Sequence, residues 1–544
     1  MKTKEIKENK GITLIVLVIT IIVLLILAGI TIGAITGENG IIKNAGQSKE
    51  QTEIANEKEI LEKATVEAMG KNKYGNIEES ELQNALNQET GEGKTEAVDA
   101  GEEFEVLFID SNRYYIVDKD GNVGEVKDYY KDENPGDITI GENGEKLDGK
   151  TEKTAYQIWC IEDLVELSQN YSKYLNSYIK LGRTLNFNSR FSYSDGKILD
   201  CNSIEELKDL LTNTSGSGFT PIANFSGTFD GRGYEIQNIY INIAEDAGLF
   251  ATATDGKIEN LKISGNITST ENNAGGIVAG IYTNALNIEL SKCENKAKVV
   301  SSKKASGGIV GTGAMKIGNC YNYGEIYSYG TDRAYNDYET GSAGGIVGAG
   351  CEDIQNCGNE GKVSSSISAG GIIGYKYYNF NLVNCYNTGE VKGTTYSGGI
   401  IGETKAGTGY IYNCYNTGSI QSDSNSGGGG IAGFIYYNTT VSLYNCCNIG
   451  TILGTQNIGG IIGRSGAGSG SYVEYMPTIK NTYSMPSTLN GIGNFSTSEV
   501  IISETSIENI VNYLNSYINI ADESIDKSDW NRWKIAENGA LSFE

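Results

Sequence analysis

The sequence predicts a mainly β protein: a right-handed parallel β-helix (solenoid) behind an N-terminal transmembrane helix and a small α+β stalk domain. Three observations carry that expectation. Residues 12–35 run without a charge behind a lysine-rich leader. A glycine-rich element recurs through the second half at spacings of 26 to 37 residues. The apolar runs of that region are short, β-branched and bounded by Gly or Asn, with no helical period.

The leader, residues 1–11, contains Lys2, Lys4, Lys7 and Lys10. The 24 residues Ile12 to Ile35 follow. As a helix they span about 36 Å, enough for a hydrocarbon core of about 30 Å. The lysines predict a cytoplasmic N-terminus, and therefore a single-pass cell-membrane protein whose C-terminal region is extracellular, at the cell surface. The stretch KGITLIVLVITIIVLLILAG resembles the prepilin-type cleavage and methylation motif. The resemblance implies a pilin helix cut by prepilin peptidase between Gly11 and Ile12, with the pilus assembly machinery as a partner. Val16 stands at the fifth position after that cut, where pilins usually carry Glu. That departure suits a tip subunit or an anchor that stays outside the filament.

Residues 36–127 read as an extension of this helix into a small pilin-like β domain. KEQTEIANEKEILEKATVEAM is rich in Glu, Lys and Ala, and Ile54, Leu61, Ala64 and Ala68 form its apolar stripe. Strand-like runs follow at Phe104–Ile109, Arg113–Val117 and Val123–Val126. In the intervening DKDGNV, Asp118, Asp120 and Asn122 alternate as in a calcium loop, but Asp-Gly between two strands reads first as a hairpin turn. Residues 128–150, with Pro135 and scattered Gly, read as a linker.

The repeat sets the remaining architecture. G-G-[IV]-[IVA]-G begins at 275, 307, 344, 370, 398, 429 and 459. A second element reads IGNCYNYGEI at 317, IQNCGNEGKV at 354, LVNCYNTGEV at 382, IYNCYNTGSI at 411 and LYNCCNIGTI at 443, and fades to IKNTYSM at 479. Each repeat supplies about three short strands, so equivalent residues should stack in columns of Ile, of Cys and of Val or Ile. Glycines such as Gly389, following Asn, are expected to supply the positive φ of a corner. A spacing of 26 residues is short for a four-stranded propeller blade. The repeats resemble the GLUG-motif repeats of bacterial surface proteins and adhesins, and that resemblance implies surface display and adhesion. Residues 151–244 are expected to hold a cap helix, TAYQIWCIEDLVELSQNY with Ile161, Leu164, Val165 and Leu167 inward, and the first coils. Residues 245–490 are the repeat solenoid. Residues 491–544 are the C-terminal cap, with a helix at 504–517 and a closing strand pair in DWNRWKIAENGALSF.

The chain has 544 residues, a net charge of −25 and no His. The absence of His removes Ser-His-Asp and Cys-His catalysis and His-ligated zinc. Without a basic stripe, nucleic acid is not an expected partner. Cys293, Cys320, Cys357, Cys385, Cys414 and Cys446 occupy equivalent positions, which predicts a column of free buried thiols rather than disulfides or a metal site. Glu325, Glu360 and Glu390 read as solvated, and no acid–base pair emerges, so neither enzymatic activity nor a cofactor is expected. The longest inter-repeat segment, 327–342, is the candidate ligand loop, with Tyr327, Tyr329, Asp332, Arg333, Tyr335, Asp337 and Tyr338. Tyrosines beside acids suit sugars, by stacking and by accepting hydroxyl hydrogen bonds. Tyr375, Tyr377 and Tyr378 recur as Phe434, Tyr436 and Tyr437, a pattern read as a stacked aromatic ladder. The expected function is a membrane-anchored adhesin or pilus-associated protein binding glycans or matrix. The alternatives are a non-binding spacer and a carbohydrate-active β-helix enzyme.

Overall fold

The computed structural model describes residues 41–544 apart from 72–76, 92–93, 100–102, 109–112, 128–135, 142–144, 188–215, 283–287, 314, 334–336, 338, 424–426, 467–474, 486–488, 495–499, 503–505 and 521–524. The leader, the Gly11–Ile12 cut site and the apolar stretch 12–35 lie outside the described residues. Among those described, no helix is long and apolar enough to cross a membrane. The chain divides into two compact units, Met1–Lys131 and Asp132–Glu544.

In the first unit, helices α1 (Ile41–Lys71) and α2 (Glu79–Thr90) accompany an antiparallel sheet. Its strands run in order β1 (Thr95–Asp99), β2 (Glu103–Phe108), β3 (Arg113–Asp118) and β4 (Val123–Lys127). The α1 stripe is the packing face: Leu61, Ala64 and Ala68 are buried with Leu82, Phe104 and Tyr115, while Ile54 is half-buried. Glu57 is buried on the same helix, and two groups from β3 satisfy it: Arg113 Nε at 2.8 Å and the Tyr115 hydroxyl at 2.7 Å. The DKDGNV turn closes on its own first side chain. Asp118 Oδ1 accepts from the Asp120 and Asn122 backbone at 3.0 and 2.8 Å, as the hairpin reading expects. Helix α2 and strand β1 are not expected from the sequence. ESELQNALNQET has few apolar residues, and Thr95–Asp99 is too short to show alternation.

The second unit is a parallel β-solenoid. Helix α3 (Ile161–Gln169) buries Ile161, Leu164 and Leu167 at its start, with Val165 half-buried. From residue 136 onward, the segment read as linker belongs to this cap. Ile138 is fully buried and its carbonyl accepts from Gln157 N, while Gly136 N donates to Asp163 at 2.9 Å. Two apolar anchors, Ile138 and Leu147, suffice to fix a stretch whose composition reads as loop.

Each coil has three sides. In the early coils side A is one strand, Phe225–Asp230 and then Phe250–Glu259, side B is Glu235–Ile243 and then Lys262–Ser269, and side C enters as Ala274–Gly275. In later coils sides A and B each break in two. The coil near residue 380, for example, has Ser368–Gly370 on C, Ile373–Lys376 and Phe380–Val383 on A, and Tyr386–Asn387 and Val391–Gly393 on B. The expected three strands are thus three sides carrying five short strands. The columns form as expected. Ile317, Ile354, Leu382, Ile411 and Leu443 are in register on side A. Ile326, Val363, Val391 and Ile420 are in register on side B. The six repeat cysteines are fully buried, and the nine described cysteines are free.

The A–B corner corrects one expectation. Its left-handed residue is the one before the column position, not Gly389: Lys292 before Cys293, Asn319, Asn356, Asn384, Asn413 and Asn445 before the later Cys, and Asn481 before Thr482 have φ between 45° and 57°. Asn tolerates this conformation because its short side chain bonds locally. Glycine at 389 answers a different constraint, since a Cβ there would lie 2.0 Å from the Gly361 carbonyl oxygen of the coil below.

The two Asn of N-C-Y-N form two ladders. The inner one is buried: each of Asn295, Asn322, Asn359, Asn387 and Asn416 donates from Nδ2 to Oδ1 of the next, at 2.7–2.8 Å. Each also donates to the backbone carbonyl two residues on, which fixes the amide's orientation. The outer ladder runs the other way, Asn413 donating to Asn384 and Asn384 to Asn356 at 2.7 and 2.8 Å. The inner ladder also explains why the two sequence elements travel together. A Cβ on Gly371 would lie 2.5 Å from the Asn387 side chain, and Gly345 and Gly399 meet Asn359 and Asn416 in the same way.

At the far end, α4 (Ile507–Asn519) buries Ile510, Val511 and Leu514, and Trp533–Ile535 pairs antiparallel with Leu541–Phe543. Both elements match the expected cap. The chain between them also returns along the outside of the solenoid.

Candidate functional site

The predicted 327–342 loop is largely fastened down. Tyr327 is a side-B strand residue in register with Ser364. Its ring stacks on exposed Tyr329 at 6.0 Å, and its hydroxyl donates to Glu325. Asp332 is exposed. Arg333 turns inward: it donates to Glu403 at 2.7 Å, Ser342 Oγ at 2.8 Å and the Thr340 carbonyl at 3.0 Å, and lies over the Tyr375 ring. Asp337 accepts from Lys304 and from the Thr340 hydroxyl, and these donors hold its carboxyl down to about 2 against the opposing effect of burial. Tyr335 and Tyr338 lie outside the described residues. Arg333 and Asp337 therefore anchor the loop, and among the described candidates Tyr329 and Asp332 are the exposed ones. The aromatic pair Tyr375 and Phe434 is not a stacked ladder, because Glu403 occupies the rung between them; Phe434 stacks instead on Tyr396, at 4.7 Å.

The open, chemically mixed surface lies at the A–B corner, between side B and the C-terminal hairpin. Asp529 to Trp533 straddles the outer Asn ladder. Asn384 donates to the Asp529 carbonyl and accepts from Asn531 N, while Asn413 donates to the Asn531 carbonyl and accepts from the Trp533 indole at 2.7 Å. Trp530 packs on Tyr412 of side A and Trp533 on Tyr415 of side B. Beyond this strap is a cleft of about 550 Å³ lined by Tyr321, Tyr386, Glu360, Thr388, Asn538 and Glu544 among others. Tyr386 donates to Glu360 at 2.9 Å; burial first, and then that carboxylate, push its phenol well above the usual range. Glu360 is exposed, and Glu390 pairs with Lys362 at 3.4 Å, so the expected solvated role of both holds at these positions.

Sequence reasoning missed the cleft. One signal was available, the CGN at 357–359 where three sister repeats read CYN, but the return of residues 529–544 across three coils leaves no periodic trace. The buried thiols are chemically quiet. Burial holds Cys351 and Cys446 up to about 12, far from the range of a nucleophilic thiolate.

No protein-family model matches the chain. No curated protein matches it. Among solved structures, one described as that of a "putative immunoglobulin A1 protease" from Bacteroides ovatus matches with 20% identity and a TM-score of 0.39, over 74% of this chain and 95% of that one. At that similarity it carries no activity over to this chain.

Proposed function

We propose that the chain is a membrane-anchored, surface-displayed adhesin or pilus-associated protein whose β-solenoid binds an extracellular glycan or matrix component without transforming it. One observation carries the reading: the solenoid corner presents stacked tyrosines, Asn and Thr side chains and carboxylates in register around an open cleft. Those groups suit the apolar faces and hydroxyls of a polyol or peptide surface. The chain has no His, which removes His-dependent catalysis alone. The anchor rests on the sequence of residues 1–35 and on its resemblance to the prepilin motif.

The test exposes the full chain in detergent to immobilised polysaccharides, mucins and matrix proteins, scoring both retention and newly released reducing ends. Retention without product supports the adhesin. Released ends move the assignment to a carbohydrate-active enzyme, and no retention on any surface moves it to a spacer. The anchor is tested by co-expression with a prepilin peptidase and mass analysis of the new N-terminus, expected to be methylated Ile12.

A further inference from the structure

We infer that the cleft between side B and the C-terminal hairpin is the ligand site, and that its ligand is an uncharged saccharide chain. The inference rests on the adhesin reading above and adds the site and the ligand class to it.

The floor of the cleft is a notch in an aromatic column. The first residues of side B run in register as Glu294, Tyr321, Gly358, Tyr386, Tyr415, Cys447 and Tyr483. Gly358 is the one glycine among them. A Cβ at that position would lie 2.2 Å from Cζ of Tyr386, so the Tyr386 ring occupies the space the missing side chain leaves. The ring thereby leans across a whole coil and comes within 6.4 Å of Tyr321, while Tyr415 stacks behind it at 5.3 Å and 11°. With Tyr at 358, Tyr386 would stand upright in an even stack. The glycine gives the stack a tilted platform, in which the half-buried Tyr386 lines the cleft. Phe543 meets Tyr415 at 5.1 Å and forms the opposite wall. Such rings present apolar faces with polar edges, the surface on which the C–H faces of a pyranose lie.

The rim sets the charge of the ligand. Glu360 and Glu544 contribute carboxylates, Thr388 and Asn538 contribute hydroxyl and amide groups, and none of the described lining residues is Lys or Arg. Carboxylates and amides accept and donate to sugar hydroxyls, whereas a uronate or sulfated sugar would bring further negative charge beside Glu360, whose partner is the neutral Tyr386 hydroxyl, and Glu544, which Arg532 offsets only at 3.8 Å. A volume near 550 Å³ falls within the range of small-ligand sites, about 300–1,000 Å³.

The experiment uses the full chain in detergent and saturation-transfer NMR with three soluble probes: cellotriose, triacetylchitotriose and trigalacturonic acid. Transfer to at least one neutral trisaccharide and none to the uronate is expected. Tyr386→Ala is expected to weaken that binding about tenfold or more, and Tyr386→Phe, which keeps the ring, to restore most of it. Because Tyr386 also packs the solenoid, Thr388→Trp provides a second variant: Thr388 is exposed on the rim, and an indole there fills the cleft without touching the core. Loss of binding in Thr388→Trp with an unchanged melting temperature supports the assignment. Neutral-sugar binding that survives Thr388→Trp overturns the site, and equal transfer to the uronate overturns the ligand class, yet either result leaves the adhesin reading standing. Retention on mucin or matrix protein with no transfer to any trisaccharide overturns the inference alone. No retention on any surface removes the adhesin reading and the inference together.

Discussion

Replacing Asn387 by Ala tests the inner ladder directly. Asn387 is fully buried, donates to the Gly389 carbonyl at 2.9 Å and to Asn416 at 2.7 Å, and accepts from Asn359 at 2.7 Å. Truncation leaves three buried groups without that partner: the Gly389 oxygen, the Asn416 oxygen and one hydrogen of the Asn359 amide. Each such loss costs about 1–3 kcal/mol, and with partial relaxation the sum is about 4 kcal/mol. A solenoid coil contacts mainly its neighbours, so the cost should appear locally rather than in one global transition. The suitable assay is native-state hydrogen exchange at Thr388 and Thr417, whose amides bond to the carbonyls of Asn359 and Asn387. A loss of about 4 kcal/mol corresponds to exchange roughly a thousandfold faster. Asn387→Asp keeps the shape but replaces both donors by acceptors, and should cost at least as much. Exposed Thr388→Ala is the control and should change exchange less than about threefold. Acceleration below about tenfold at both amides in Asn387→Ala would refute the idea that the ladder is a major source of coil stability.

Other predictions concern the loop, the strap and the thiols. Arg333→Ala strands the Glu403 carboxylate, whose side chain is 10% exposed, and should destabilise the local coils by about 3 kcal/mol. Proteolysis within 329–341 should accelerate, and adding Glu403→Gln should recover some of the loss. Asn384→Ala removes the strap's contacts to Asp529 and Asn531 and puts Ala at a φ of 53°, so iodide should quench Trp530 and Trp533 more readily. Burial raises the Cys351 and Cys446 thiols to about 12, above an unfolded value of about 8.5. Their contribution is therefore complete below about pH 8.5 and is lost as pH rises toward about 12, so the urea midpoint should fall through that window. Ellman's reagent should leave the eight buried described cysteines unmodified in the folded chain and reach them after unfolding.

The columns, the caps and the closing hairpin were legible in the sequence because repetition turns a three-dimensional contact into a one-dimensional period. Ile317, Ile354 and Leu382 touch because they are equivalent, and equivalence is visible in a string. Division of labour within the motif was not visible. Asn384 sits at the A–B corner and Gly389 at the break within side B, and only geometry shows that the Asn takes the left-handed turn while the Gly makes room for a carbonyl. Non-repeating contacts left still less trace. Arg333 reaches Glu403 across 70 residues and Asn531 reaches Asn356 across 175, so neither the anchored loop nor the cleft could be read from local pattern.

The returning tail also bears on how the molecule carries load. Coils pulled along the solenoid axis would separate singly, like the teeth of a zip, because each ladder is loaded at its end. The segment Asp529–Trp533 lies across two of those joints and is bonded to Asn356, Asn384 and Asn413 together. Tension that opens one of these joints must also shear the strap's other attachments, so the unit that yields is the stapled group of coils rather than a single coil. The two tryptophans grip opposite sides of the same corner and keep the staple from sliding. In a single-molecule pulling record, this places the largest rupture at the strapped coils, with smaller even steps from the unstrapped coils before it.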